Sequence, residues 1–200
     1  MRSVRASGNY LVLTIQSALP TNELQLGESI ACDGSCLTVT KIHPDAFTVE
    51  ASQETVQRTI VHTYGAGSRI NLERAMQLGG RLGGHLVSGH IDVTGRLERS
   101  GPVGNSLELA VTFDSRFDPL VIEKGSIAIN GVSLTINETR SGWFTVNIIP
   151  HTAGATTLED LSPGSPVNLE FDMIGKYVLK SQHATGNNSL TIDKLKESGW

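Results

Sequence analysis

Apolar and β-branched residues recur along this chain in short alternating runs. Tyr10-Leu11-Val12-Leu13-Thr14-Ile15, Cys36-Leu37-Thr38-Val39-Thr40-Lys41-Ile42, Phe47-Thr48-Val49-Glu50-Ala51 and Ile70-Asn71-Leu72-Glu73 are four of them. Leu107-Glu108-Leu109-Ala110-Val111 and Val167-Asn168-Leu169-Glu170-Phe171 are two more. Gly, Pro, Asn and Asp cut the chain about every 8–12 residues, a spacing that predicts an all-β fold of short strands. Gln53 to Thr63 and Thr152 to Leu161 resemble short helices with polar faces. Roughly six strands and one helical turn per 90 residues suit a small closed barrel, which leaves no exposed edge.

The runs come twice. Ser29-Ile30-Ala31 and Gly34, Leu37, Thr38 return 97 residues later as Ser126-Ile127-Ala128 and Gly131, Leu134, Thr135. Phe47-Thr48-Val49 returns as Phe144-Thr145-Val146, Thr55 and Thr59 as Thr152 and Thr156, and Asn71-Leu72-Glu73 as Asn168-Leu169-Glu170. With Gly67-Ser68 and Gly164-Ser165 included, positions 29–73 carry 16 identities to 126–170 without a gap. Solenoid repeats run about 20–50 residues. A period of 97 is a duplicated domain. Two copies of one fold imply two related pockets and paired ligands.

The copies differ at their fronts. Gly8-Asn9 matches Gly104-Asn105, which sets Met1 opposite Leu97. The residues that would answer Gly89 to Arg96 are then missing from the first copy, so barrel one is expected to lack most of a strand. Residues 1–84 form the first domain, 85–172 the second and 173–200 a helical tail. Within that tail Ile174, Tyr177, Val178 and Leu179 have helical spacing, and Leu190 to Lys196 is a second helical stretch after Gly186-Asn187-Asn188. A lone amphipathic helix outside two barrels needs a surface to pack on, and self-association supplies one.

Composition narrows the function. The net charge of −4, with 16 Lys and Arg in 200 residues, points to neither nucleic acid nor an anionic membrane. No apolar stretch approaches the roughly 20 residues of a bilayer span. Met1-Arg2-Ser3-Val4-Arg5 has no apolar signal-peptide region. The two cysteines, Cys32 and Cys36, share one segment. On a single strand they would stand about 13 Å apart, too far for a disulfide, which suits a reduced cytoplasmic protein.

Gly34-Ser35-Cys36-Leu37-Thr38-Val39-Thr40, Gly83-Gly84-His85-Leu86-Val87-Ser88-Gly89-His90-Ile91 and Asn130-Gly131-Val132-Ser133-Leu134-Thr135 resemble the riboflavin synthases of the α-chain type. Glu54-Thr55 and Ile149-Pro150 fit as well, and the resemblance runs from about Arg2 to about Val178. It implies tandem six-stranded Greek-key β-barrels with a C-terminal α-helix that builds a homotrimer. It implies conversion of two 6,7-dimethyl-8-ribityllumazine molecules into riboflavin and 5-amino-6-(D-ribitylamino)uracil by four-carbon transfer, with no cofactor and no metal. The barrel-one site of one subunit would face the barrel-two site of its neighbour. Association with lumazine synthase is left open. The family's Phe-Thr-Gly-Ile type start, which contacts substrate, does not occur in this sequence.

The resemblance carries substrate contact onto Cys36, Leu37 and Thr38, and onto Glu50, Ala51, Ser52, Gln53, Glu54 and Thr55 in the first copy. In the second copy it falls on Ser133, Leu134 and Thr135, and on Asn147, Ile148, Ile149, Pro150, His151 and Thr152. Gly89, His90 and Ile91 open the second barrel, and Lys124 lies beside its mouth.

The implied chemistry is proton removal from the substrate's C7 methyl, whose carbanion delocalises into the pteridine ring. Holding two reactants together is worth up to about 7–11 kcal/mol, so strong bases are unnecessary. His90 is the candidate for proton transfer because an imidazole titrates near neutrality, although an isolated histidine at a strand start is commonly structural. Ser133 is the candidate hydroxyl beside the nucleophile, although Ser on a strand commonly satisfies backbone groups. Cys36 stands at the matched position and serves as a weak acid, a nucleophile, or a small buried hydrophobe. That Cys36 and Ser133 differ at matched positions suggests a division of labour between donor and acceptor pockets. Thr38 and Thr135 suit binding of ring or ribityl groups. Lys124 polarises substrate oxygens or is simply solvated. His85 makes a poor metal pair with His90, and Gly79 to Gly84 is an inter-barrel linker without the features of a phosphate loop. A binding module holding a lumazine or flavin without turnover is the competing reading, and a ligand-free scaffold fits two matched polar pockets poorly.

Overall fold

The computed structural model describes residues 1–77 and 79–186, and in it the repeat becomes two six-stranded antiparallel sheets. The first copy supplies β1 (Ser3–Ser7), β2 (Tyr10–Gln16), β3 (Ser29–Cys32), β4 (Ser35–His43), β5 (Ala46–Ala51) and β6 (Leu72–Arg74). The second supplies β7 (Val93–Val103), β8 (Ser106–Thr112), β9 (Ser126–Ile129), β10 (Val132–Arg140), β11 (Trp143–Ile148) and β12 (Pro166–Phe171). Their orders, β1-β2-β5-β4-β3-β6 and β7-β8-β11-β10-β9-β12, are the same path taken twice. The all-β duplicated architecture read from the sequence is the one observed.

The second sheet closes into a barrel because β12 pairs with β7, from Pro166 opposite Arg96 to Leu169 opposite Val93. Among the described residues β6 pairs with β3 alone and β1 with β2 alone, so the first sheet keeps two edges. The register locates the difference. Leu97 donates its N–H to the Ser165 carbonyl at 2.9 Å and accepts from the Gly164 N–H at 2.7 Å. Met1 does the same with the Ser68 carbonyl at 2.6 Å and the Gly67 N–H at 2.9 Å. Met1 therefore occupies the place of Leu97 in the matched register.

Alternation is clear along β4 and β10, whereas β5, β11 and β12 are buried on nearly every residue. On β4, Leu37 and Val39 are buried while Cys36, Thr38 and Thr40 face out. On β10, Leu134 and Ile136 are buried while Thr135 faces out. Leu13, Ile15, Ile30, Phe47 and Val49 fill the first barrel. Leu109, Ile127, Ile129, Phe144 and Phe171 fill the second. Burying one such side chain stabilises by about 1.5–3 kcal/mol. A bulge follows Val39 on β4 and the matched Ile136 on β10, bending both strands at the same point.

The helices are shorter than the sequence predicts. α1 spans Gln53–Arg58 and α2 spans Pro150–Ala155, each followed by a separate tight turn at Ile60–Thr63 or Leu158–Asp160. The break is made by a repeated threonine. Thr59 and Thr156 leave the helix with φ of −127° and −130°, and their hydroxyls donate to the carbonyls of Thr55 at 2.6 Å and Thr152 at 2.8 Å. α3 spans Met173–Gly186 and leaves Ile174, Tyr177 and Val178 exposed. The helical stretch expected at Leu190 to Lys196 lies outside the described residues. No described helix is long and apolar enough to cross a membrane.

The barrels meet through two hairpin turns. Asp33-Gly34 joins β3 to β4 and Asn130-Gly131 joins β9 to β10, with φ of 44° and 77° in the first and 47° and 79° in the second. Both central residues in the left-handed region are what a two-residue hairpin of this twist requires, and Asp-Gly and Asn-Gly supply it. The turns pack backbone to backbone. A Cβ on Gly34 would stand 2.7 Å from the Gly131 nitrogen, and one on Gly131 would stand 2.8 Å from the Gly34 nitrogen. The turn also corrects the reading of the cysteines as one strand. Cys32 ends β3, fully buried, and Cys36 faces out on β4, both as free thiols.

Candidate functional site

The segment Gly83 to Ile91 crosses from one barrel to the other and touches the matched residues Cys36 and Ser133. At barrel one, the Cys36 N–H donates to the Gly89 carbonyl at 2.9 Å. Gly89 has φ of 83°, and a Cβ there would lie 2.6 Å from the Cys36 Cβ. Only glycine fits so tight a crossing. The turn is anchored from the far barrel by Glu170 on β12. Its buried carboxylate accepts from the Ser88 N–H at 2.7 Å, the Ser88 hydroxyl at 2.6 Å and the Gly89 N–H at 3.0 Å.

These contacts bound a cavity of about 220 Å³ whose lining includes Ser35, Cys36, Thr55, Thr59, His90 and Ile91. Ser52 holds the start of α1 in place by accepting the Thr55 N–H at 3.2 Å. His90 thus lines a cavity with Cys36 and not with Ser133. Arg58 and Glu54 pair at 3.0 Å, both well exposed, a contact of little energetic weight.

At barrel two, Ser133 lies under Gly84 and His85. The His85 N–H donates to Ser133 Oγ at 3.3 Å, and His85 Nδ1 stands 2.8 Å from the same oxygen. Burial holds the imidazole below the ordinary histidine range, against the opposing pull of Asp172 and Glu170. Ser133 and His85 belong to a larger cavity of about 870 Å³. It also takes in Gly83, Gly84, Thr152, Cys36 and the open edge from Arg69 to Arg74.

The remaining sequence candidates divide by strand face. Thr38, Glu50, Thr135 and Asn147 face out, as do Gln53, Ile149, Pro150 and His151 at the two helix starts. Leu37, Ala51, Leu134 and Ile148 point into the cores, so only their backbones are open to a ligand. Lys124 is exposed in a tight turn with φ of 61°, its N–H donating to the Ile136 carbonyl at 2.9 Å, and it lines neither cavity. Sequence reasoning set His85 aside as an unsuitable metal ligand, and it passed over Glu170. The invariance of Glu73 and Glu170 between the repeats was the one signal for the latter.

Comparison with known proteins places this geometry. A lumazine binding domain model matches twice, at residues 1–75 and 88–172. The riboflavin synthase of Actinobacillus pleuropneumoniae is 40% identical over 98% of this chain and 94% of its own length. That of Bacillus subtilis (strain 168) is 39% identical over 100% of this chain and 95% of its own. Among solved structures, LumP complexed with 6,7-dimethyl-8-(1'-D-ribityl) lumazine superposes with a TM-score of 0.77 at 20% identity, covering 85% of this chain and 92% of that one. LumP complexed with riboflavin gives 0.79 at 22% identity over the same shares. These structures share the fold. Two matched lumazine-binding domains, joined by a segment that walls both candidate sites, and near-40% identity along the whole length identify the chain as a member of the riboflavin synthase family.

Proposed function

We propose that this protein dismutates two molecules of 6,7-dimethyl-8-ribityllumazine to riboflavin and 5-amino-6-(D-ribitylamino)uracil, moving a four-carbon unit from one to the other. The observation that carries the reading is the pair of matched polar sites, Cys36 and Ser133, held 97 positions apart in a chain related along its whole length to riboflavin synthases. One lumazine binds at each barrel. Thr38, Glu50 and Ser52 to Thr55 receive the first, and Thr135 and Asn147 to Thr152 receive the second.

Loss of a C7-methyl proton at one site makes a carbanion, and attack on the second lumazine joins the two. Ser133 and Cys36 are the groups beside the reacting carbons, and His90 serves proton transfer on the Cys36 side. Most of the acceleration comes from fixing two identical reactants in register, for which effective molarities reach about 10⁵–10⁸ M. A homotrimer sets barrel one of one copy against barrel two of the next, and the exposed stripe Ile174, Tyr177 and Val178 on α3 is the surface that supports it.

The assay is turnover of the purified chain with 6,7-dimethyl-8-ribityllumazine, followed by riboflavin absorbance. Riboflavin forming at a rate proportional to protein is the expected result. Tight lumazine binding without riboflavin would instead make the chain a lumazine-holding protein. Sedimentation of wild type against Tyr177→Glu tests the trimer, which the substitution should dissociate.

A further inference from the structure

His90 and Ile91 form a two-residue span between two carboxylate anchors. Upstream, Glu170 accepts the Ser88 and Gly89 N–H groups. Downstream, Asp92 is fastened by three contacts. Its N–H donates to the Leu169 carbonyl at 3.0 Å, and its Oδ2 accepts the Phe171 N–H at 2.8 Å. The regular pairing of β7 with β12 ends at Val93 opposite Leu169, so this carboxylate carries it past its last rung. The same Oδ2 stands 2.6 Å from Lys176 Nζ, near the start of α3. The Lys176 and Asp92 side chains are 28% and 21% exposed, against 66% and 75% for Arg58 and Glu54, so water and salt screen this pair far less. α3 also has a seat of its own. Asp172 Oδ1 caps it by accepting the Ile174 N–H at 2.9 Å, and a Cβ on Gly175 would lie 3.7 Å from Leu120. Lys176 thus reaches back to the barrel, while Ile174, Tyr177 and Val178 on the same helix are exposed.

We propose that Lys176 and Asp92 are a positioning pair for His90: their ion pair ties the downstream end of the crossing segment to α3 and so sets where the imidazole stands in the cavity it shares with Cys36. The assignment rests on the riboflavin synthase reading above. With Glu170 fixing one end of the span, a displacement of Asp92 has only His90 and Ile91 to absorb it. Misplacing a reacting group by about 1 Å can cost about 10²-fold in rate. Neither Lys176 nor Asp92 needs to touch the lumazine for this. The helix that offers the apolar stripe for self-association is then also the helix that holds one end of the first-barrel site in place.

The test is Lys176→Met, which keeps an unbranched stem and removes the ammonium. Its kcat should fall about tenfold, with KM within about twofold of wild type, because no group that receives the lumazine is altered. Asp92→Asn keeps an acceptor for the Phe171 N–H and should show the same loss. The double variant should be no slower than either single one, since both remove one contact. An unchanged kcat in Lys176→Met, or losses that multiply in the double variant, overturns the proposal. NMR of the unliganded protein is a second readout that needs no turnover. The His90 ring signals should move in Lys176→Met, while those of His43, which Thr48 holds at 3.0 Å, stay in place. Unmoved His90 signals overturn the positioning role, and so does a shift of both rings, which would make the effect a general loosening. If wild type makes no riboflavin while His90 alone moves, the functional reading fails and the link from α3 to His90 stands.

Discussion

Asn71 and Asn168 perform the same exchange in opposite directions across the seam between the barrels. Asn168 accepts the Ile60 N–H at 2.8 Å and donates to the Asp33 carbonyl at 2.8 Å. Asn71 accepts the Thr157 N–H at 2.8 Å and donates to the Asn130 carbonyl at 3.1 Å. Every partner is displaced by the repeat period. Each asparagine in turn gives its own N–H to the side chain of the facing turn residue, Asp33 or Asn130, at 2.8 Å.

Asn168 is fully buried, so truncation to Ala orphans an amide and a carbonyl where water cannot replace them. An unsatisfied buried group costs about 1–3 kcal/mol. Asn168→Ala should therefore lower unfolding stability by about 3 kcal/mol, and Asn71→Ala by less because its site is partly exposed. Urea denaturation of both variants checks the order, and equal losses would contradict it.

Asp33 breaks the symmetry chemically. Burial pushes its carboxyl from 3.8 up to about 6, against the lowering effect of hydrogen bonds from the Asn71 N–H and Tyr64. A carboxyl raised on folding favours the folded state below its unfolded value and loses that contribution as pH rises through about 6. Asn130 already accepts the matched N–H without a charge. Asp33→Asn should therefore be near neutral at about pH 4 and stabilise by about 2–3 kcal/mol at pH 8. Thermal melts across that range give the answer, and a stabilisation independent of pH would exclude the carboxyl as its source.

Gly89→Ala adds a Cβ 2.6 Å from the Cys36 Cβ at a φ of 83°. Strain of this kind costs about 1–3 kcal/mol and must push the turn away from β4. Lumazine binding at the first barrel should weaken at least tenfold while the second barrel keeps its affinity. Calorimetric titration that counts ligands per chain decides, and two unaltered sites would remove Gly89 from the wall of the first.

The open edge should be visible in hydrogen exchange. Val167 and Leu169 face β7 in the closed ring, whereas the matched Ile70 and Leu72 have no strand beyond them among the described residues. Their amides should exchange faster than those of Val167 and Leu169, with the matched Asn71 amide protected by Asp33. Equal protection at all four positions would mean that another strand covers the edge.

Strand positions were legible because Leu37, Val39, Phe47 and Val49 alternate with polar neighbours; burial follows that alternation on β4, whereas on β5 Thr48 is buried along with Phe47 and Val49. The duplication supplied the topology in outline. The hairpin split of Cys32 from Cys36 was written in Asp33-Gly34, a turn signal masked by the apolar residues on both sides. The short helices escaped because Thr59 and Thr156 look like ordinary helix residues until their hydroxyls are seen bonding back. His85 could not be assigned from the sequence. Its partner Ser133 is 48 residues away, and only barrel closure brings the linker down onto β10. The direction of Lys124 was illegible for the converse reason, since nearness to a strand says nothing about which way a tight turn points.

The crossing segment has a consequence for how the sites respond to each other. Gly84-His85 rests on Ser133, and four residues further on Gly89 rests on Cys36, so one short lever has a load at each end. Any coupling carried between the two sites by this segment would be equal in both directions, by thermodynamic reciprocity. The same short backbone is therefore a wall to both candidate sites, pinned by Glu170 at Ser88 and Gly89.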